Sequence, residues 1–151
     1  SGTTYNFTNS LAAFSPSWKN GPGVGKSVNW PTGVGAKGNE GVAASLLKTK
    51  GSIGYVEAAY VRGVLQAAAI ANRAGTYARP DAANASQALA TINLEADLTG
   101  SDPNPSAGYP IVTFTWVLLY KSGNGSKLPA LQRTRRIAGS QKDGRGRRCL
   151  A

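Results

Sequence analysis

The 151-residue chain has no histidine and a single cysteine, Cys149. The first absence removes the commonest general base and the commonest zinc ligand. The second excludes an internal disulfide and leaves no Cys/His metal spacing. No apolar run reaches the ~18 residues that a membrane-spanning helix needs; the longest lies around Trp116–Tyr120 and is strand-sized. No secretory signal segment is recognisable, and the chain opens on Ser1-Gly2-Thr3 without an initiator Met, so we expect a piece of a longer protein. No pair of carboxylates is placed together by the pattern. Without such a pair or a histidine, general acid–base catalysis has no visible carrier, and an enzyme is not expected.

What is present suits one domain or part of one. Hydrophobic residues make up 41% of the chain and aromatics 8%, which is globular rather than disordered composition. The net charge of +10 is unevenly spread. Residues 1–120 carry eight bases against six acids, leaving +2, whereas residues 121–151 carry nine bases against Asp143 alone, leaving +8. The high isoelectric point therefore describes the tail and says nothing of what the body binds.

Apolar spacing at Phe7, Leu11 and Phe14 predicts a helix over 3–14, with Ser1 or Thr3 as cap and Ser15-Pro16 as its end. A second helix is expected over 40–48, capped by Asn39. Alanine-rich stretches suggest helices over 58–72 and 82–94. Strands are expected at 27–30 and 52–57, and at the β-branched and aromatic run 111–120. Residues 75–80 read as a short extended stretch and 101–110 as a turn region. This order of elements suggests a layered α/β domain.

Three constellations bear on binding. Small hydroxyl residues and a glycine at a helix start, Ser1-Gly2-Thr3-Thr4, fit either an ordinary N-cap or an anion site made of free N–H groups. Gly33-Val34-Gly35-Ala36-Lys37-Gly38, with Glu57 about 20 residues on, imitates a dinucleotide fingerprint. Pro31-Thr32 separates it from a barely four-residue strand, which weighs against that reading. Arg133, Arg135, Arg136, Arg145, Arg147 and Arg148 could meet nucleic acid, but no aromatic is interleaved for base stacking, and a solvated, disordered tail is the plainer expectation. Trp18, Trp30 and Trp116 read as packing residues.

The string Ser1-Gly2-Thr3-Thr4-Tyr5-Asn6-Phe7-Thr8 resembles a motif of the phosphate-binding subunit (PstS family) of the phosphate ABC transporter. The resemblance continues through 17–20, through Val28-Asn29-Trp30-Pro31-Thr32-Gly33 and on to Ala43, and through Gly51-Ser52-Ile53-Gly54-Tyr55-Val56-Glu57. It returns at Gly108-Tyr109-Pro110 to Trp116, so it covers about residues 1–120. It implies an incomplete lobe of the periplasmic-binding-protein type II class, a mixed sheet flanked by helices. It further implies binding of inorganic phosphate between two lobes for import, with Ser1, Gly2 and Thr3 as ligand contacts. The family's arginine before the Ser-Gly-Thr turn and its first-lobe carboxylate would lie outside this chain.

The expected partners are phosphate and the membrane permease subunits of the transporter, the setting periplasmic or cell-surface, and the state monomeric. No cofactor, metal or nucleic acid is expected. Two other readings use the same residues: a phosphate-scavenging or adhesion protein built on the same lobe, and a basic nucleic-acid-binding fragment. After Tyr120 the family pattern calls for an apolar C-terminal helix, which 121–151 do not supply. That stretch is expected to be a tail foreign to the family, arising from a shifted reading frame or a mis-joined gene.

Overall fold

A computed structural model describes residues 1–116 of the chain. The chain divides between Thr113 and Phe114 into two compact units. The first contains, in order, helix α1 (Gly2–Phe14), helix α2 (Pro16–Asn20), helix α3 (Gly38–Lys48), a 3₁₀ turn (Ala58–Tyr60), strands β1 (Ile70–Ala71) and β2 (Tyr77–Ala78), and helix α4 (Ala82–Leu89). Of the second unit the structure describes 114–116, where the rings of Phe114 and Trp116 meet edge-on at 6.2 Å. The last residues of the predicted strand 111–120, and the tail 121–151, lie outside the described residues.

The helices follow from local chemistry. The Ser1 hydroxyl accepts from the Thr4 N–H at 3.0 Å and starts α1. The helix stops at Ser15, whose N–H closes onto the Leu11 carbonyl and whose extended backbone suits the residue before a proline. The Ser15 hydroxyl then caps α2 by accepting from Trp18 N at 3.2 Å, with Pro16 at the first helical position. Asp81 caps α4 through Asn84 N at 2.8 Å. That helix ends at Leu89, five residues short of the expected 94.

The face that α1 buries is not the expected apolar stripe. Its buried residues are Thr8 and Ser10, while Phe14 is exposed and Phe7 and Leu11 are half-buried. Thr8 is tied rather than merely packed: its hydroxyl bonds to the carbonyls of Thr4 at 2.8 Å and Tyr5 at 3.1 Å, and takes the Gly25 N–H at 3.2 Å. This anchors α1 on the glycine-rich loop at 21–25. Beside it Phe7 stacks on Tyr55 with ring centroids 4.3 Å apart, and Trp30 lies 5.6 Å from Tyr55 and 5.5 Å from Trp18.

Four expected elements are absent from the described residues. Segment 52–57 forms no strand, because no neighbouring strand supplies a ladder and Ile53 is left 98% exposed. Segments 27–30 and 111–116 likewise hold no strand element. The alanine-rich stretch 58–72 yields no α-helix, only the 3₁₀ turn and, near its end, β1. Gly63 takes φ +64 within the stretch, and helix propensity is a weak preference that context overrides. The mixed sheet flanked by helices is thus reduced, among the described residues, to β1 and β2 paired antiparallel with Ile70 opposite Ala78.

The small core of this half joins that hairpin to α4. Ala78, Ala88, Ile92, Pro105 and Pro110 are buried. Asn72 organises the junction: its Oδ1 accepts from Ala74 N and Thr76 N, both at 3.1 Å, and its Nδ2 donates to the Gly108 carbonyl at 3.2 Å. Gly108 itself, at φ +70, lies so close to α4 that a Cβ there would stand 2.0 Å from the Asn84 carbonyl oxygen.

Candidate functional site

Ser1, Gly2 and Thr3 come together as the cap and first two residues of α1. The first N–H groups of a helix have no acceptor inside it. Here the Thr4 N–H is taken by the Ser1 hydroxyl and the Tyr5 N–H by the Ser1 carbonyl. Among the described residues nothing accepts from the Gly2 or Thr3 amides. Gly2 faces open space, with no atom within 4 Å of where a Cβ would be. The helix dipole adds its positive end to those two free donors. The result is a small, solvent-facing patch that offers N–H groups to an anion.

The side chains around this patch are more constrained than the sequence suggested. The Ser1 hydroxyl lies 2.9 Å from the Thr4 hydroxyl, and the Thr4 hydroxyl 2.8 Å from the Tyr55 hydroxyl, giving a row of three. Thr3 donates its hydroxyl proton to Glu57 Oε1 at 3.0 Å. The Ser1 nitrogen donates to the Lys26 carbonyl. Segment 55–57 therefore flanks the start of α1, through two side-chain ties and the Phe7–Tyr55 stack.

The second helix start, that of α3, is differently equipped. Asn39 does not cap it; its Oδ1 accepts from the Glu57 N–H at 3.1 Å instead. Lys37 is the cap residue and contributes no side-chain bond. Glu40 sits in the first turn, where its own charge occupies the positive end of the dipole. Its carboxyl is held below the usual range by a backbone hydrogen bond and then by the Tyr60 hydroxyl, which donates to Oε1 at 2.9 Å. The same contact raises Tyr60 above the usual phenol range. A phosphate-cradling role for Gly33–Gly38 has no support here: no strand precedes the loop, and a carboxylate already faces the helix end it leads to.

Glu57 is the residue whose place sequence reasoning missed. Its distance from the glycine run only imitated a dinucleotide fingerprint, whereas the structure sets it against Thr3. Nothing in the spacing alone could have joined two residues 54 positions apart. Among the described residues no group of three or more His, Cys, Asp or Glu could hold a metal ion. No described helix is long and apolar enough to cross a membrane.

No protein-family model matches the chain. Sequence comparison does find curated relatives. The chain is 43% identical over 128 residues to the phosphate-binding protein PstS of Pasteurella multocida, covering 80% of this chain and 37% of that one. It is 42% identical over 126 residues to PstS of Xylella fastidiosa, covering 80% and 35%. With PstS of Methanocaldococcus jannaschii the identity is 34% over 147 residues, covering 83% and 36%. The chain thus spans little more than a third of the length of these relatives. Homology of this extent implies a periplasmic-binding-protein fold, of which the described residues are a mixed helix-and-sheet part. Within that class it is a partial PstS-family chain.

Proposed function

We propose that this chain is part of a solute-binding protein that captures inorganic phosphate for ATP-driven import, and that Ser1, Gly2 and Thr3 form one wall of the anion site. The observation that carries this reading is the exposed start of α1, where two amides lack an acceptor and Gly2 leaves the approach open. The relatives bear phosphate-binding names, which supports phosphate as the anion. The parent protein closes two lobes of the type II arrangement on the ion, by hinge motion, and hands it to permease subunits. It works as a monomer in the periplasm or at the cell surface. It is a binding protein and not an enzyme; the scavenging, adhesion and nucleic-acid readings have no observation that favours them.

One helix end leaves a phosphate largely solvated, so the isolated chain should bind it in the millimolar range. Titration of the ¹⁵N-labelled chain with inorganic phosphate should shift the Gly2 and Thr3 amide resonances, saturably. Shifts spread evenly over the chain, or none at these two residues, would reject the site.

A further inference from the structure

We propose that Glu57 is a positioning residue for this anion site: it fixes the Thr3 side chain and ties the starts of α1 and α3 into one frame. The inference rests on the proposed phosphate site and adds a residue to it.

The case begins with what Thr3 lacks. A threonine inside a helix settles its rotamer by bonding back to a carbonyl three or four residues earlier. Thr8 does so, to Thr4 and Tyr5. Thr3 is the second residue of α1 and has no helical turn before it. Its hydroxyl goes to Glu57 at 3.0 Å, the acceptor that replaces the missing turn.

Glu57 could not serve if its own backbone wandered. It is exposed, yet held from several sides. Its N–H is accepted by Asn39 at 3.1 Å, its carbonyl accepts from Tyr60 N at 2.9 Å, and two residues back Tyr55 is tied to Thr4 and stacked on Phe7. Asn39 meanwhile forgoes capping its own helix, the local job for which an asparagine near a helix start is suited. A local preference given up in favour of a long-range tie is what a site-supporting residue shows. The hydroxyl proton of Thr3 is spent on Glu57, so Thr3 meets an arriving anion with its amide, and the carboxylate itself opposes that anion; what the tie contributes is the fixed geometry of the helix start.

The test compares Glu57→Ala, Glu57→Gln and Thr3→Val in the 151-residue chain, by amide-resonance titration with inorganic phosphate. Glu57→Ala should raise the dissociation constant about three- to ten-fold, the worth of one hydrogen bond and its fixed geometry. Glu57→Gln keeps an oxygen acceptor and sheds the charge, so it should bind at least as tightly as wild type. Thr3→Val should match the Glu57→Ala loss, and the double variant should be no weaker than either single one. In the ligand-free chain the Thr3 Hα–Hβ coupling should indicate one rotamer in wild type and Glu57→Gln, and averaging in Glu57→Ala. Wild-type-like binding by Glu57→Ala, an equal loss in Glu57→Gln, or additive losses in the double variant would overturn the proposal while leaving the phosphate site standing. Absence of phosphate shifts in wild type would overturn both.

Discussion

Replacing Gly108 by alanine should be among the most damaging single changes to the first unit. Two separate effects act there. Gly108 has φ +70, a conformation that costs an L-residue roughly 1–2 kcal/mol. The added methyl would also stand 2.0 Å from the Asn84 carbonyl oxygen and 2.6 Å from the Ala88 nitrogen, so α4 must be pushed away. Overpacking of this kind costs about 1–3 kcal/mol. The shift would strain two further bonds, Asn72 Nδ2 to the Gly108 carbonyl and the Tyr109 N–H to the Asn84 carbonyl. The combined loss of about 2–5 kcal/mol corresponds to a fall in Tm of roughly 5–15 °C for a chain of this size. Gly51→Ala separates the two effects: Gly51 has φ +78 but nothing within 4 Å of a Cβ, so it carries the backbone cost alone. Melting followed by circular dichroism should rank wild type above Gly51→Ala and Gly51→Ala above Gly108→Ala. Equal melting of the two variants would refute the close approach of Gly108 to α4.

Ile53→Asp, at a side chain that is 98% exposed, should melt within about 1 °C of wild type in this chain; a large drop would mean that 52–57 is packed after all. Tyr60→Phe removes a hydroxyl that lowers the Glu40 carboxyl, so Glu40 should titrate at higher pH in an NMR titration, and an unmoved Glu40 would break that assignment. Because the folded-state value of Glu40 is depressed, its contribution to stability is present above the ordinary carboxylate range and is lost as pH falls through the lowered value. Titration calorimetry of the chain with phosphate should give no constant in the micromolar range; one that tight would show that the second lobe is not needed. For residues from Lys121 onward we propose a shifted frame or a mis-joined gene: translating the other two frames of the coding DNA should restore an apolar helical pattern, and failure of both frames would end that idea.

The helices were legible because their signals are local. Ser1 caps α1 and Ser15-Pro16 ends it as expected, and α3 and α4 begin within two residues of expectation, whereas α2, capped by Ser15, was not anticipated. Strands were not legible in the same way. The β-branched character of 52–57 describes what such residues suit, but a strand exists only where another supplies its hydrogen bonds, and among the described residues no strand pairs with it. The Thr8 hub was invisible for a related reason: a threonine and a serine lie on the buried face, and the Thr8 hydroxyl satisfies itself on carbonyls and a loop amide that the helical period does not reveal. The start of α1 was readable as a candidate anion site from its small hydroxyl residues and glycine, because a helix start always presents N–H groups. Its neighbours Glu57 and Tyr55 were not readable, since contacts across more than fifty positions leave no trace in spacing.

The bond from Thr8 to the loop has a consequence for aim. Apolar packing lets a helix slip or roll by small amounts at little cost, whereas a directional bond indexes it. Thr8 lies six residues along α1 from Gly2, about 9 Å at helical rise. Its attachment to Gly25 therefore sets the azimuth of the whole rod, and with it the direction in which the Gly2 and Thr3 N–H vectors point. The bearing of the donors is fixed by a glycine loop that never touches them, so changes in residues 21–25 would re-aim the site without altering a single residue in it.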